Sequence, residues 1–114
     1  MRIGRNDPAK YHEAKSCHNG AGAIYYMSLW DDFETNWMFI HRGVLPPKSG
    51  IGHHFHDNCE EMYVIFDNAA RFTHNGNTAN LTVGAMSPCC VGESHGLYNH
   101  TGNDTQFMNL GVAG

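Results

Sequence analysis

The sequence predicts an all-β protein, a sandwich or barrel of short antiparallel strands, on three observations. No window sustains a helical period of apolar residues. Runs of β-branched and aromatic residues recur at short, regular intervals instead. Turn-forming residues stand between them, among them Pro46-Pro47, Asp67-Asn68 and Asn75-Gly76. The chain has 114 residues, the size of one domain. It divides into an N-terminal arm over 1–20 and a single β domain over 21–114.

Residues 1–20 mix charges with Pro8 and Gly20 and read as an arm or a short first strand. Strands follow over 23–29 and 37–45, both rich in aromatic and branched residues and joined by the polar loop 31–35. Pro46-Pro47-Lys48-Ser49-Gly50 ends the second as a rigid turn. Strands near 52–56 and 60–66 flank the polar turn Asp57-Asn58-Cys59. Residues 69–74 and 78–83 form a hairpin on Asn75-Gly76, the strongest short hairpin signal in the chain. Gly84 turns the chain into 85–90, Gly92-Glu93 into 94–100, and 105–112 is the last strand.

The formal net charge is -4 and Lys/Arg residues do not cluster, which argues against a nucleic-acid partner. No apolar run is long enough for a helical membrane span, and the polar N-terminus lacks the apolar stretch of a secretory signal. Cys17, Cys59, Cys89 and Cys90 show no C-x-x-C spacing, so a zinc finger or redox motif is not expected. Free thiols in a reducing cytoplasm are the expectation.

Histidine is the outlier of the composition, at nine residues. His54 and His56 lie two apart, hence on one face of an extended strand. Glu60 and Glu61 follow the turn and take opposite faces; alternation alone leaves open which one looks inward. Downstream, His95 is a candidate fourth ligand. His53 points away from His54. His41 shares a face with Trp37 and Phe39, and either that face or the one bearing Met38, Ile40 and Arg42 lines the interior. Three imidazoles and a carboxylate suit one divalent transition-metal ion: Fe, Mn, Zn, Ni or Cu.

These spacings resemble the cupin superfamily, whose motifs read G-x5-H-x-H-x(3,4)-E-x6-G and G-x5-P-x-G-x2-H-x3-N. His54, His56 and Glu61 meet the first, with Lys48 at its opening glycine and Asn68 at its closing one. Asn tolerates left-handed backbone angles next best to glycine, so that turn can survive. Gly84, Gly92, His95 and Asn99 meet the second, with Cys90 in place of proline and Pro88 two residues before it. The motifs cover residues 48–99. The resemblance implies a single cupin domain over 21–114, a jelly-roll barrel that is often a homodimer. It places His54, His56, Glu61 and His95 as metal ligands on inward faces near one mouth. It favours Glu61 over Glu60. Asn99 reads as a turn residue or a support behind the ligands rather than as a ligand.

By that resemblance the protein acts on a small organic molecule, first as a dioxygenase-type oxidoreductase. A non-redox isomerase, lyase or cyclase is the second reading, with His41 or Glu60 as its base. A non-catalytic ligand-binding cupin is the third. From residue 36 onward the only Lys and Arg are Arg42, Lys48 and Arg71. A phosphate clamp would recruit more fixed positive charge. A neutral or monoanionic ligand that chelates the metal through two oxygens fits better.

Overall fold

Ten strands build two antiparallel sheets in the computed structural model, which describes all 114 residues. They are β1 His12–Lys15, β2 Ala23–Trp30, β3 Trp37–Leu45, β4 Gly50–Phe55, β5 Cys59–Ile65, β6 Ala69–His74, β7 Asn77–Thr82, β8 Met86–Cys89, β9 Ser94–Tyr98 and β10 Thr105–Ala113. The larger sheet has the order β1-β2-β3-β10-β5-β8 and the smaller β4-β9-β6-β7. Two 3-10 turns, Pro8–Lys10 and Cys17–Asn19, flank β1. The expected all-β jelly roll is the architecture found.

The turns follow their residue chemistry. Asn75 and Gly76 both have positive φ, 48° and 85°, as a two-residue hairpin of the primed type demands. Asn68 is left-handed at φ 55°, so it does take over the turn where the motif has glycine. Its Nδ2 donates to Thr101 Oγ1 at 2.7 Å and Thr105 Oγ1 at 3.0 Å, tying this turn to the loop before β10. Lys48, at the other replaced glycine, is also left-handed at φ 60° and donates from Nζ to the His100 carbonyl at 2.7 Å. Pro88 lies on β8, an edge strand of the larger sheet, where its missing N–H costs no ladder bond on the outer side.

Strand limits differ from expectation by one or two residues, with physical causes. The last strand of the second motif stops at Tyr98 because fully buried Asn99 braces the next loop. Asn99 Nδ2 donates to the Leu45 and Asn103 carbonyls, at 2.8 and 2.7 Å, and its Oδ1 accepts from the Thr101 N–H at 2.9 Å. At the other end of the chain, β1 pairs with β2, and the following 3-10 turn lies on β4. A Cβ on Gly52 would collide with the His18 carbonyl, so this approach needs glycine there.

Between the sheets lies a core of Ile24, Leu45, Ile51, Tyr63, Ile65, Ala70, Phe72, Leu97 and Phe107. Each large member contributes about 1.5–3 kcal/mol by leaving water. Aromatic residues of strands are core by default, and Tyr63, Phe72 and Phe107 are buried, but Tyr25, Trp37 and Tyr98 take outer or rim positions; Tyr25 donates its hydroxyl to Glu13 at 2.8 Å and Trp37 is 42% exposed. The outer face of the larger sheet is itself apolar, with half-exposed Ile40, Met62, Val64, Met108 and Leu110 and exposed Met38.

Candidate metal centre

His54 and His56 stand on and just beyond the end of β4, Glu61 on β5 and His95 on β9. Both sheets therefore contribute, and the register sets His54 directly opposite His95. The ligand atoms of His54, His56, Glu61 and His95 all lie within 4.8 Å of one another. His56 Nε2 is 2.9 Å from His95 Nε2 and 2.9 Å from Glu61 Oε2, and His95 Nε2 is 3.4 Å from Glu61 Oε1. Neighbouring donors on an octahedral ion with bonds of ~2.1 Å are about 3 Å apart, so the spacing matches a shared cation.

The surrounding groups prepare these donors. His54 Nδ1 is 2.7 Å from the Gly52 carbonyl. A carbonyl only accepts, so Nδ1 carries the proton and Nε2 keeps its lone pair. That Nε2 is buried and has no partner in the protein. His56 Nδ1 lies 3.0 Å from Cys59 Sγ, and an Nδ1–H donating there leaves Nε2 free in the same way. The His95 ring stacks on Tyr63, centroids 4.4 Å apart, and is fully buried. Three ring nitrogens and a carboxylate converge here, and the lone pair of His54 Nε2 is unspent, so the donor set fits a divalent ion.

Electrostatics point the same way. Burial pushes His54 down to about 4, although the Gly52 carbonyl opposes it. Burial also lowers His56, against the pull of Glu61. Both imidazoles are therefore neutral near pH 7. For Glu61, burial alone would raise the carboxyl; the hydrogen bond from His95, the His95 and His56 rings facing it and the Asn109 amide together hold it below its ordinary value.

A chamber of about 320 Å³ opens onto this cluster. Ile24, Phe39, Ile51 and Phe107 give it apolar walls, and His41, Asn109 and Tyr26 add polar groups. The face of β3 bearing Phe39 and His41 thus looks inward, and Ile40 and Arg42 look out. Burial lowers His41, so that ring too is neutral. Glu61 is 5% exposed and inward, while Glu60 is exposed on the other face. His53 faces away from the cluster, bonded to Thr73 Oγ1 at 2.9 Å and Ser94 Oγ at 2.8 Å.

Three chamber residues escape the motif reading. Cys17 and His18 come from the N-terminal turn, and His18 stacks on the His54 ring, 3.7 Å between centroids and 10° between planes. No local signal marks that contact, because the close approach over Gly52 creates it. Asn109 is the third; an amide in the inward phase between Phe107 and Gly111 of an otherwise apolar strand was the available clue.

No family model matches the chain. Over 64 residues it is 33% identical to a protein of Thermotoga maritima called an oxalate-binding protein, a stretch covering 56% of this chain and 53% of that one. The match thus spans about half the length of that curated relative. A solved structure described as a predicted oxalate decarboxylase, also from Thermotoga maritima, superposes with TM-score 0.90 at 22% identity, over 99% of each chain. A Cupin 2 conserved barrel domain protein from Salinispora arenicola gives TM-score 0.77 at 18% identity, over 98% of this chain and 88% of that one. Likeness at these identities shows the fold, and with the strand order found here the chain has the fold of cupin barrels.

Proposed function

We propose that the protein is a metal-dependent enzyme that holds one divalent transition-metal ion on His54, His56, Glu61 and His95. It acts on a small organic molecule bound in the adjoining chamber, in the dioxygenase-type oxidoreductase class. The observation that carries this reading is the convergence of four ligand atoms within 4.8 Å of one another beside an apolar chamber. Such an ion supplies oxygen activation if it is redox-active and Lewis acidity if it is not. Four protein ligands leave up to two positions of an octahedral ion for the ligand.

The chain's own residues have definable tasks. The Gly52 carbonyl and Cys59 Sγ orient His54 and His56. Phe39 and Phe107 exclude water beside the site. Neutral His41 offers either a donor or an acceptor to a bound molecule.

Two observations favour a second reading, a non-redox lyase or isomerase. His41 lies in the chamber, where it is able to take or give a proton, and the names of the two Thermotoga maritima relatives concern oxalate. Metal analysis of purified protein and oxygen-electrode traces with catechol, thiol and keto-acid substrates separate the readings. Iron with oxygen uptake supports the first. Turnover without oxygen on manganese or zinc supports the second, and stoichiometric binding without turnover overturns both. The apolar outer face of the larger sheet supports a homodimer, which sedimentation at micromolar concentration tests. The four free cysteines support a cytoplasmic location.

A further inference from the structure

Four side chains share the cluster, but the protein does not hold them equally. His56, Glu61 and His95 are buried, whereas His54 is only half-buried. His95 has a ring face packed on Tyr63, 13° from parallel. His54 has its Nδ1 fixed by the Gly52 carbonyl, and one hydrogen bond sets a direction but not a plane. What covers the face of His54 is His18, whose ring lies 3.7 Å away and 10° from parallel. The nitrogens of His18 are not among the converging donor atoms, so it lies beside a ligand without being one.

The turn that delivers His18 is built for close approach. Ser16, His18 and Asn19 are all left-handed, at φ 50°, 49° and 62°. Residues other than glycine seldom take such angles and keep them only where the surroundings enforce them. Here the enforcement is backbone contact with β4. The Gly50 N–H donates to the Ala21 carbonyl at 3.0 Å, and the Asn19 and Gly20 N–H groups close the turn on the Ser16 and Cys17 carbonyls at 2.9 and 2.8 Å. A Cβ on Gly20 would strike the Gly50 carbonyl, as one on Gly52 would strike that of His18. A plain link between β1 and β2 requires neither this approach nor a left-handed histidine.

Resting on the metal site proposed above, we infer that His18 is a positioning residue for the ion: its ring, carried over β4 by the turn 16–22, fixes the plane of the His54 imidazole so that Nε2 stays aimed at the cluster. The turn 16–22 then belongs to the metal centre and is no detachable arm. Tyr63 does for His95 from the core what His18 does for His54 from the chain's first segment.

The test is calorimetric titration of the full metal-free chain with Mn²⁺, with thermal melts alongside. His18→Gly removes the ring and accepts the left-handed angle without strain, and His18→Asn is a second ringless variant that tolerates it. Both should bind Mn²⁺ about tenfold more weakly, the low end of what support behind a metal ligand contributes, while the metal-free chains keep a cooperative melt. His18→Phe keeps a stacking face and has room, since His18 is exposed, so its affinity should stay within about twofold of wild type. Wild-type affinity in either ringless variant overturns the positioning role. An equal loss in His18→Phe overturns the stacking and assigns the effect to the His18 nitrogens. Failure of the wild-type chain to bind Mn²⁺ overturns the metal site itself and is seen before any variant is made.

Discussion

Replacing His54 and His53 separately by alanine tests the site with neighbouring residues that face opposite ways. His54 presents a buried, unpartnered Nε2 to the cluster, whereas both His53 nitrogens are spent on Thr73 and Ser94 across the outer face. Loss of a residue that merely orients a metal ligand costs about 10–100-fold in affinity. Loss of a ligand itself sets a higher floor, so His54→Ala should weaken metal binding by at least ~100-fold. His53→Ala forfeits two partly exposed hydrogen bonds, about 1–2 kcal/mol in all, and melts a few degrees lower with metal affinity unchanged. Calorimetric titration of the metal-free chains with Mn²⁺ or Fe²⁺, alongside thermal melts, reads both effects. Wild-type affinity in His54→Ala, or metal loss in His53→Ala, would refute the register of β4 and the ligand set with it.

Other outcomes follow from the same structure. Gly52→Ala drives a Cβ into the His18 carbonyl and the Gly20 N–H; overpacking of this kind costs about 1–3 kcal/mol, so the melting temperature should fall measurably and metal affinity with it. Stability of the metal-free protein should be full above pH ~6.5 and decline as pH falls toward about 4, because the unfolded chain takes up a proton that buried His54 refuses; denaturant melts across that range show it. Among the thiols, exposed Cys90 should react with a disulfide reagent, while buried Cys89, whose thiol is pushed up to about 12 by burial and then by Glu93, should stay silent until unfolding. At the left-handed turn, Asn68→Gly should destabilise less than Asn68→Ala, since both lose the Nδ2 bonds but only alanine adds backbone strain; equal melting points would remove strain from the account.

Much of this was legible in the residues, and the reasons differ by feature. The hairpin at Asn75-Gly76 is local chemistry, so its strands were placed to within a residue. That His54, His56, Glu61 and His95 would cluster was readable because spacing along a strand maps onto one face of it. Glu61 rather than Glu60 followed only from the motif spacing, since Met62 to Phe66 is apolar on both sides and alternation has nothing to report. His41 was undecidable for the same reason: Ile40 and Met38 are as apolar as Phe39. What no local pattern reveals is contact between distant segments. His18 reaches His54 because two backbones touch at glycines, and Asn109 reaches Glu61 through pairing of β10 with β5.

That two-sided apolar character has a consequence for how the barrel finds its alignment. A strand with one wet face is locked, because sliding by a single residue drags its greasy side into water. On β3, β5 and β10 such a slide exchanges one oily row for another, with Met62 and Leu110 trading places with Tyr63 and Phe107. The few hydrophilic side chains among them, His41, Glu61 and Asn109 within against Arg42 and Glu60 without, are then the marks that tell the two alignments apart. The groups that make the chamber chemically useful also index the sheet, so a chain stripped of them would lose its alignment together with its site.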